Sequence, residues 1–134
     1  MLNVAVTDDE PLLLGLISTV LEKQGHTVTA SPGPLECLEV LRPDATSFDL
    51  LLTDVEMRPM NGFQMVTELR RSGLTCPVVF MSGYRNDQES ISETFGDALV
   101  LEKPFTAAEL LVAVARARTI MGVSSRAAAA PANC

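Results

Sequence analysis

Apolar residues along the chain fall into runs that alternate between short and long. Leu2–Thr7 is short and rich in β-branched residues, the pattern of a strand. It ends at Asp8-Asp9-Glu10-Pro11, after which Leu12, Leu13, Leu16, Ile17, Val20 and Leu21 recur at helical spacing. Pro11 suits the first turn of that helix, the acidic residues ahead of it favour the helix dipole, and Gly25 stops it. His26–Ser31 alternates as a second strand, Pro32-Gly33-Pro34 turns the chain, and Leu35, Leu38, Val40 and Leu41 predict a second helix. Phe48–Thr53 is a continuous apolar run, as expected of a strand covered on both faces, and it ends at Asp54. Phe63, Val66 and Leu69 predict a third helix, and Pro77–Met81 a fourth strand that ends at Ser82-Gly83. Residues 85–95 are polar and acidic, with Ile91 and Phe95 one helical turn apart, which predicts a short, weakly anchored helix. Ala98–Leu101 is the fifth strand and runs into Glu102-Lys103-Pro104; Thr106 and Glu109 then form a capping box that opens the last helix.

Strands and helices in strict alternation predict an α/β fold, an open five-stranded parallel sheet with helices on both faces. The ordered domain is expected over residues 1–121, and the Ser/Ala/Pro-rich segment 122–134 is expected to be a flexible tail. In open parallel sheets, sites form beyond the carboxyl ends of the strands. There the first strand carries Asp8 and Asp9, the third Asp54, the fourth Ser82 and the fifth Lys103. Three carboxylates, a hydroxyl and an ammonium from distant segments therefore meet at one sheet edge. Carboxylates crowded together need a cation to stay ionised, and an oxygen-only donor set suits Mg²⁺. Asp54, alone at the centre of the sheet, is placed as a nucleophile. Lys103 offers a point charge and Ser82 a hydroxyl to a phosphoryl group, so the implied reaction is phosphoryl transfer onto a carboxylate.

Composition narrows the partners. A formal charge of −7 from 17 acidic and 10 basic residues, only two of them lysines, leaves no basic face for nucleic acid or for polybasic membrane docking. Three cysteines at wide spacing and one histidine form neither a disulfide framework nor a zinc pattern. Cys37 and Cys76 are expected to be buried small hydrophobes, Cys134 a frayed end, and His26 and the Arg70-Arg71 pair surface residues. With no signal peptide and no apolar stretch near the ~20 residues of a membrane span, a cytoplasmic protein is expected.

Asp8-Asp9-Glu10, Asp54 closing an apolar strand, Met57 followed by Met60-Asn61-Gly62, Ser82-Gly83 and Lys103-Pro104-Phe105 together resemble the receiver domain of bacterial two-component response regulators over about residues 2–121. The resemblance implies a flavodoxin-like (βα)5 fold with strand order 2-1-3-4-5. It implies that Asp54 accepts a phosphoryl group from the phosphohistidine of a sensor kinase or a histidine phosphotransfer protein. Asp9 would bind Mg²⁺ directly, Asp8 through water, and the Glu56 backbone carbonyl would be a further ligand. Ser82 and Lys103 would contact the phosphoryl group, with the Lys103–Pro104 bond cis. Output would pass to a downstream protein target, with a possible homodimer, through the face of the fourth helix, fifth strand and fifth helix. The domain would catalyse only its own phosphorylation and dephosphorylation.

The sequence departs from the family pattern in three places. The usual Met-Pro pair reads Met57-Arg58-Pro59, the position three before Lys103 is Val100 rather than Tyr or Phe, and Glu56 and Tyr84 occupy sites expected to shape water access to phosphorylated Asp54. Other readings compete. A nucleotide- or flavin-binding domain would need a Gly- or Ser/Thr-rich loop where Asp8-Asp9-Glu10 stands. An aspartyl-phosphate phosphatase would need a cap to enclose its substrate. A degenerate receiver would bind partners without phosphorylation. The Val78–Tyr84 stretch also resembles receivers attached to hybrid histidine kinases, so the module can equally belong to a longer protein.

Overall fold

A computed structural model describes residues 1–83, 91 and 98–133, with side chains as far as residue 120. The chain order is β1 (Asn3–Thr7), α1 (Pro11–Lys23), β2 (Thr27–Ser31), α2 (Pro34–Leu41), a 3-10 segment (Arg42–Ser47), β3 (Leu50–Asp54), α3 (Gly62–Arg71), β4 (Val78–Ser82), β5 (Leu99–Glu102) and a last helix, α4 (Ala107–Asn133). The five strands form one parallel sheet in the order β2-β1-β3-β4-β5. The expected helix over 85–95 lies outside the described residues apart from Ile91, which is helical and buried.

Strand alternation divides the core into two layers. Ala5, Leu51, Val78 and Phe80 face α2 and α3, where Cys37, Leu41, Met65 and Leu69 close over them. Val4, Val6, Leu50, Leu52, Val79 and Met81 face α1 and α4, which contribute Ile17, Leu21, Leu110 and Val114. Every residue of β3 is buried, as its unbroken apolar run predicts, because helices cover both sides of the central strand. Central placement matters for function, since it brings Asp54 to the middle of the sheet's carboxyl edge.

Local chemistry sets several boundaries. Pro11 opens α1, and Gly25, at φ 90°, turns the chain beyond its end in a conformation that favours glycine. The Thr106–Glu109 capping box forms reciprocally, the Glu109 N–H donating to Thr106 Oγ1 (3.1 Å) and the Thr106 N–H to Glu109 Oε1 (2.9 Å). A second box caps α3 through Asn61 and Gln64.

The structure corrects three local expectations. Among the apolar positions of α1, Ile17 and Leu21 are buried but Leu12 and Leu16 are exposed. With Leu at 12, 13 and 14, successive 100° steps put apolar side chains on every side of the first turn, and only some can meet the sheet. Leu35 and Val40 of α2 are likewise exposed, and Cys37, Leu38 and Leu41 are buried instead. His26 is buried, its Nδ1 accepting the Leu2 N–H (3.1 Å), and burial holds its pKa below the ordinary value. Arg70 is exposed, as expected, and its Nη1 also donates to the carbonyls of Leu74 and Cys76 at 3.0 and 2.8 Å, tying the turn before β4 to α3. The last helix, α4, runs on to Asn133 and so includes most of the segment expected as a tail.

Cys37 and Cys76 are buried, and burial pushes both thiols up to about 11, so they behave as the small hydrophobes expected; Cys134 lies outside the described residues. The difference between buried and exposed leucines is measurable. Leu51→Ala is expected to lower stability by about 2–5 kcal/mol, and Leu12→Ala by less than about 0.5 kcal/mol, in urea unfolding followed by circular dichroism. Equal losses would contradict the layer assignment.

Candidate functional site

The carboxyl ends of β1, β3 and β5 converge on one ammonium group. Asp8 follows β1 directly and is fully buried; a carboxylate there survives only with partners. Its Oδ1 accepts the Glu10 N–H (2.9 Å) and its Oδ2 accepts from Lys103 Nζ (3.0 Å). Asp54, the last residue of β3, is 3% exposed, and its Oδ1 takes the Glu56 N–H (3.2 Å) and Lys103 Nζ (3.2 Å). Lys103 thus bridges two buried carboxylates from strands more than forty residues apart in the chain.

Backbone geometry brings Lys103 there. β5 pairs with β4 as far as Ser82↔Glu102, and the next N–H, that of Lys103, donates to the Ser82 carbonyl (2.7 Å). The Lys103–Pro104 bond is cis, as the family resemblance implied, and so is Arg58–Pro59. The loop after β3 folds back upon Asp54: the Gly62 N–H donates to the Val55 carbonyl (2.9 Å), and a Cβ on Gly62 would collide with the Asp54 carbonyl oxygen. Only glycine permits that approach, which is a physical reason for the Asn61-Gly62 pair noted in the sequence.

Burial first, and then the charge of Asp8, push Asp54 up to about 6, against the opposing pull of the Lys103 charge, its hydrogen bond and the Glu56 N–H. For Lys103, burial opposes the charge, but the hydrogen bond to Asp8 and the charges of Asp54 and Asp8 outweigh it and hold its pKa above the ordinary value. One oxygen each from Asp8, Asp9 and Asp54 come within 4.8 Å of one another. Asp9 is exposed at the rim while the other two lie deeper. Three converging carboxylates with a single ammonium between two of them leave uncompensated negative charge, and an all-oxygen donor set with an open side fits a hard divalent cation that keeps water ligands.

Asp8, Asp9, Glu10, Asp54, Glu56, Gly83 and Lys103 all line one open cleft of about 660 Å³. Ser82 is buried, 1% exposed, and does not line the cleft, whereas its neighbour Gly83 does. Glu56 contributes its N–H to Asp54, and its side chain is exposed; Tyr84 lies outside the described residues. Sequence reasoning assigned Lys103 to a phosphate oxygen and missed its bridge to Asp8 and Asp54. Two buried carboxylates near a single lysine were the available signal.

The profile of the response regulator receiver domain matches residues 4–115. The chain belongs to that family. The response regulator SaeR of Staphylococcus aureus is 26% identical over 115 residues, which cover 85% of this chain and 49% of SaeR, so the chain spans about half the length of the curated relatives it matches. A response regulator receiver domain protein from Clostridium thermocellum superposes with a TM-score of 0.81 at 25% identity, covering 92% of this chain and 98% of that one. The chemotaxis response regulator CheY4 of Vibrio cholerae superposes at 0.77 and 24% identity, over 87% and 98% of the two chains, a likeness of fold. The expected fold, with its strand order, is therefore that of receiver domains. Among the described residues no helix is long and apolar enough to cross a membrane.

The receiver's crowded carboxylates make a pH-dependent prediction. A pKa raised by folding means that ionised Asp54 destabilises the fold. The penalty is absent below the unfolded value of about 3.9, grows as pH rises to about 6, and is constant above. In metal-free buffer Asp54→Asn is therefore expected to stabilise the domain by roughly 1–3 kcal/mol above about pH 7, the difference vanishing near pH 4. Chemical unfolding at both pH values measures it, and a pH-independent difference would contradict the assignment. Gly62→Ala is expected to cost more than about 1–2 kcal/mol, because backbone rather than a side-chain tip must move.

Proposed function

We propose that this receiver domain is a phosphoacceptor in two-component signalling and that Asp54 takes the phosphoryl group. The observation that carries the reading is the buried Asp8–Lys103–Asp54 bridge opening onto a cleft with Asp9 at its rim. Asp9 and Asp54 would hold Mg²⁺ directly, Asp8 through water, and the Glu56 carbonyl would complete the protein's share. When bound, the ion supplies positive charge that offsets the charge of the phosphoryl oxygens.

The chain's own groups account for the rest. Lys103 and the Glu56 N–H both engage Asp54 Oδ1, and among the described residues no hydrogen bond engages Oδ2, which is left as the nucleophile. Oδ2 attacks the phosphorus of a phosphohistidine. The O–P bond forms as the N–P bond breaks, and the electron pair stays on the imidazole nitrogen of the donor, a sensor histidine kinase or histidine phosphotransfer protein. Lys103, at the end of a fixed hydrogen-bonded strand, needs only a small displacement from Asp54 to meet a phosphoryl oxygen. Ser82 would donate its hydroxyl to a second one, and Glu56 with Tyr84 would regulate the approach of hydrolytic water. The domain acts in this way on itself, in the cytoplasm.

Transmission to a downstream protein target, or to a second copy, would use the β5–α4 face. There exposed Val112 lies in a shallow depression with Glu102, Glu109 and Arg116. Incubation with Mg²⁺ and acetyl phosphate is expected to add one phosphoryl group by intact mass. Asp54→Ala is expected to abolish the adduct, and Lys103→Ala to slow its formation by about 10²-fold or more. An adduct that survives in Asp54→Ala would overturn the reading.

A further inference from the structure

A second concavity, of about 550 Å³, lies away from the acidic cleft, between α3, the 3-10 segment and the loop that precedes α3. Pro59, Met60 and Phe63 supply its apolar lining, and Arg42, Glu68 and Arg71 its charged rim. The two arginines share a single carboxylate, Arg42 Nη2 at 3.4 Å from Glu68 Oε2 and Arg71 Nη1 at 3.0 Å from Glu68 Oε1. Their side chains are 49% and 72% exposed, so both guanidinium groups still meet water. The rim therefore carries one net positive charge in a chain of net charge −7. Exposed ion pairs hold weakly, and a guanidinium fork takes a carboxylate through two parallel bonds, so an incoming acidic side chain can replace Glu68 at either arginine. Glu68 itself, at the centre of the rim, disfavours a continuous phosphate backbone. Thioether and aromatic surface beneath it suits an apolar side chain.

We propose that this groove docks a short segment of a partner protein that presents a large apolar side chain flanked by Asp or Glu, and that its occupancy is coupled to the state of Asp54. Two contacts carry the coupling. Phe63 packs tilted on Phe80 of β4, with ring centroids 5.2 Å apart, two residues before Ser82. Gly62, next to Phe63, has its backbone against the Asp54 carbonyl, and the 55–61 loop that supplies Met60 also supplies the N–H that Glu56 gives to Asp54. A partner that shifts Phe63 or Met60 thus acts on both sides of the phosphoacceptor. Docking stands independently of the phosphoacceptor reading; the coupling rests on it.

A displayed library of random twelve-residue peptides, panned on the full chain, tests both parts. Enriched peptides are expected to carry Asp or Glu on either side of Leu, Phe or Met. They are expected to lose at least about tenfold in affinity on Arg42→Glu/Arg71→Glu and to bind Glu68→Gln more tightly, because the competing carboxylate is gone. Circular dichroism of both variants is expected to match that of the parent chain. Beryllofluoride with Mg²⁺, its binding at Asp54 followed by fluorine NMR, is expected to change the affinity at least about threefold. No enrichment, peptides without acidic residues, or equal binding to the charge-reversed variant overturns the docking. So does a concentration-dependent dimer that the charge reversal abolishes, since the occupant is then a second copy. Unchanged affinity with beryllofluoride bound overturns the coupling alone, and absence of bound beryllofluoride counts against the phosphoacceptor reading while docking stands.

Discussion

The site depends on one ammonium group. Lys103 sits 3.0 Å from Asp8 and 3.2 Å from Asp54, and without it two buried carboxylates would face each other with only backbone N–H groups to hold them. Like charges so placed drive a carboxyl towards protonation, and Asp54 moves in that direction even with Lys103 present. The edge is therefore held short of electrostatic balance. An incoming cation relieves it, and a group that then takes one of the lysine's two contacts costs the protein little. A fully neutralised edge would bind neither. The sheet enforces the crowding, because strands packed on both faces cannot spread apart to separate the charges.

The loop after β3 shares in this constraint. Its N–H at Glu56 holds one Asp54 oxygen, its end at Gly62 presses against the Asp54 carbonyl, and the Asn61–Gln64 capping box anchors it to α3. Asp54 is in this way gripped from both its side chain and its backbone. A carboxylate held so tightly would lose little entropy on reaching a reactive geometry in its proposed role, and small movements in the loop would be transmitted to it.

Much of the architecture was legible because it rests on local and periodic signals. An unbroken apolar β3 announced a central strand, Pro11 and the Thr106–Glu109 box announced helix starts, and the strand-end residues announced the site. What escaped depends on distance in space. Leu12 and Leu16 satisfy helical spacing as well as Ile17 and Leu21 do, and only the docking angle of α1 decides which face the sheet. His26 reads as a surface residue because its partner is a backbone N–H, which carries no sequence signature. The Lys103 bridge is half legible: the sequence places the lysine and both carboxylates at one edge, but which oxygens it meets follows from strand register. The Asn61–Gln64 box has the spacing of a capping box in the sequence itself.

The claim at the centre of this account is that Asp54, crowded by Asp8 and held by Lys103, becomes an acyl phosphate. Borohydride reduction converts an aspartyl phosphate to homoserine, a mark that peptide mass spectrometry assigns to a single position. After exposure to Mg²⁺ and acetyl phosphate, homoserine is expected at position 54 and at no other acidic residue. Homoserine at Asp8 or Asp9 with Asp54 intact would contradict the account.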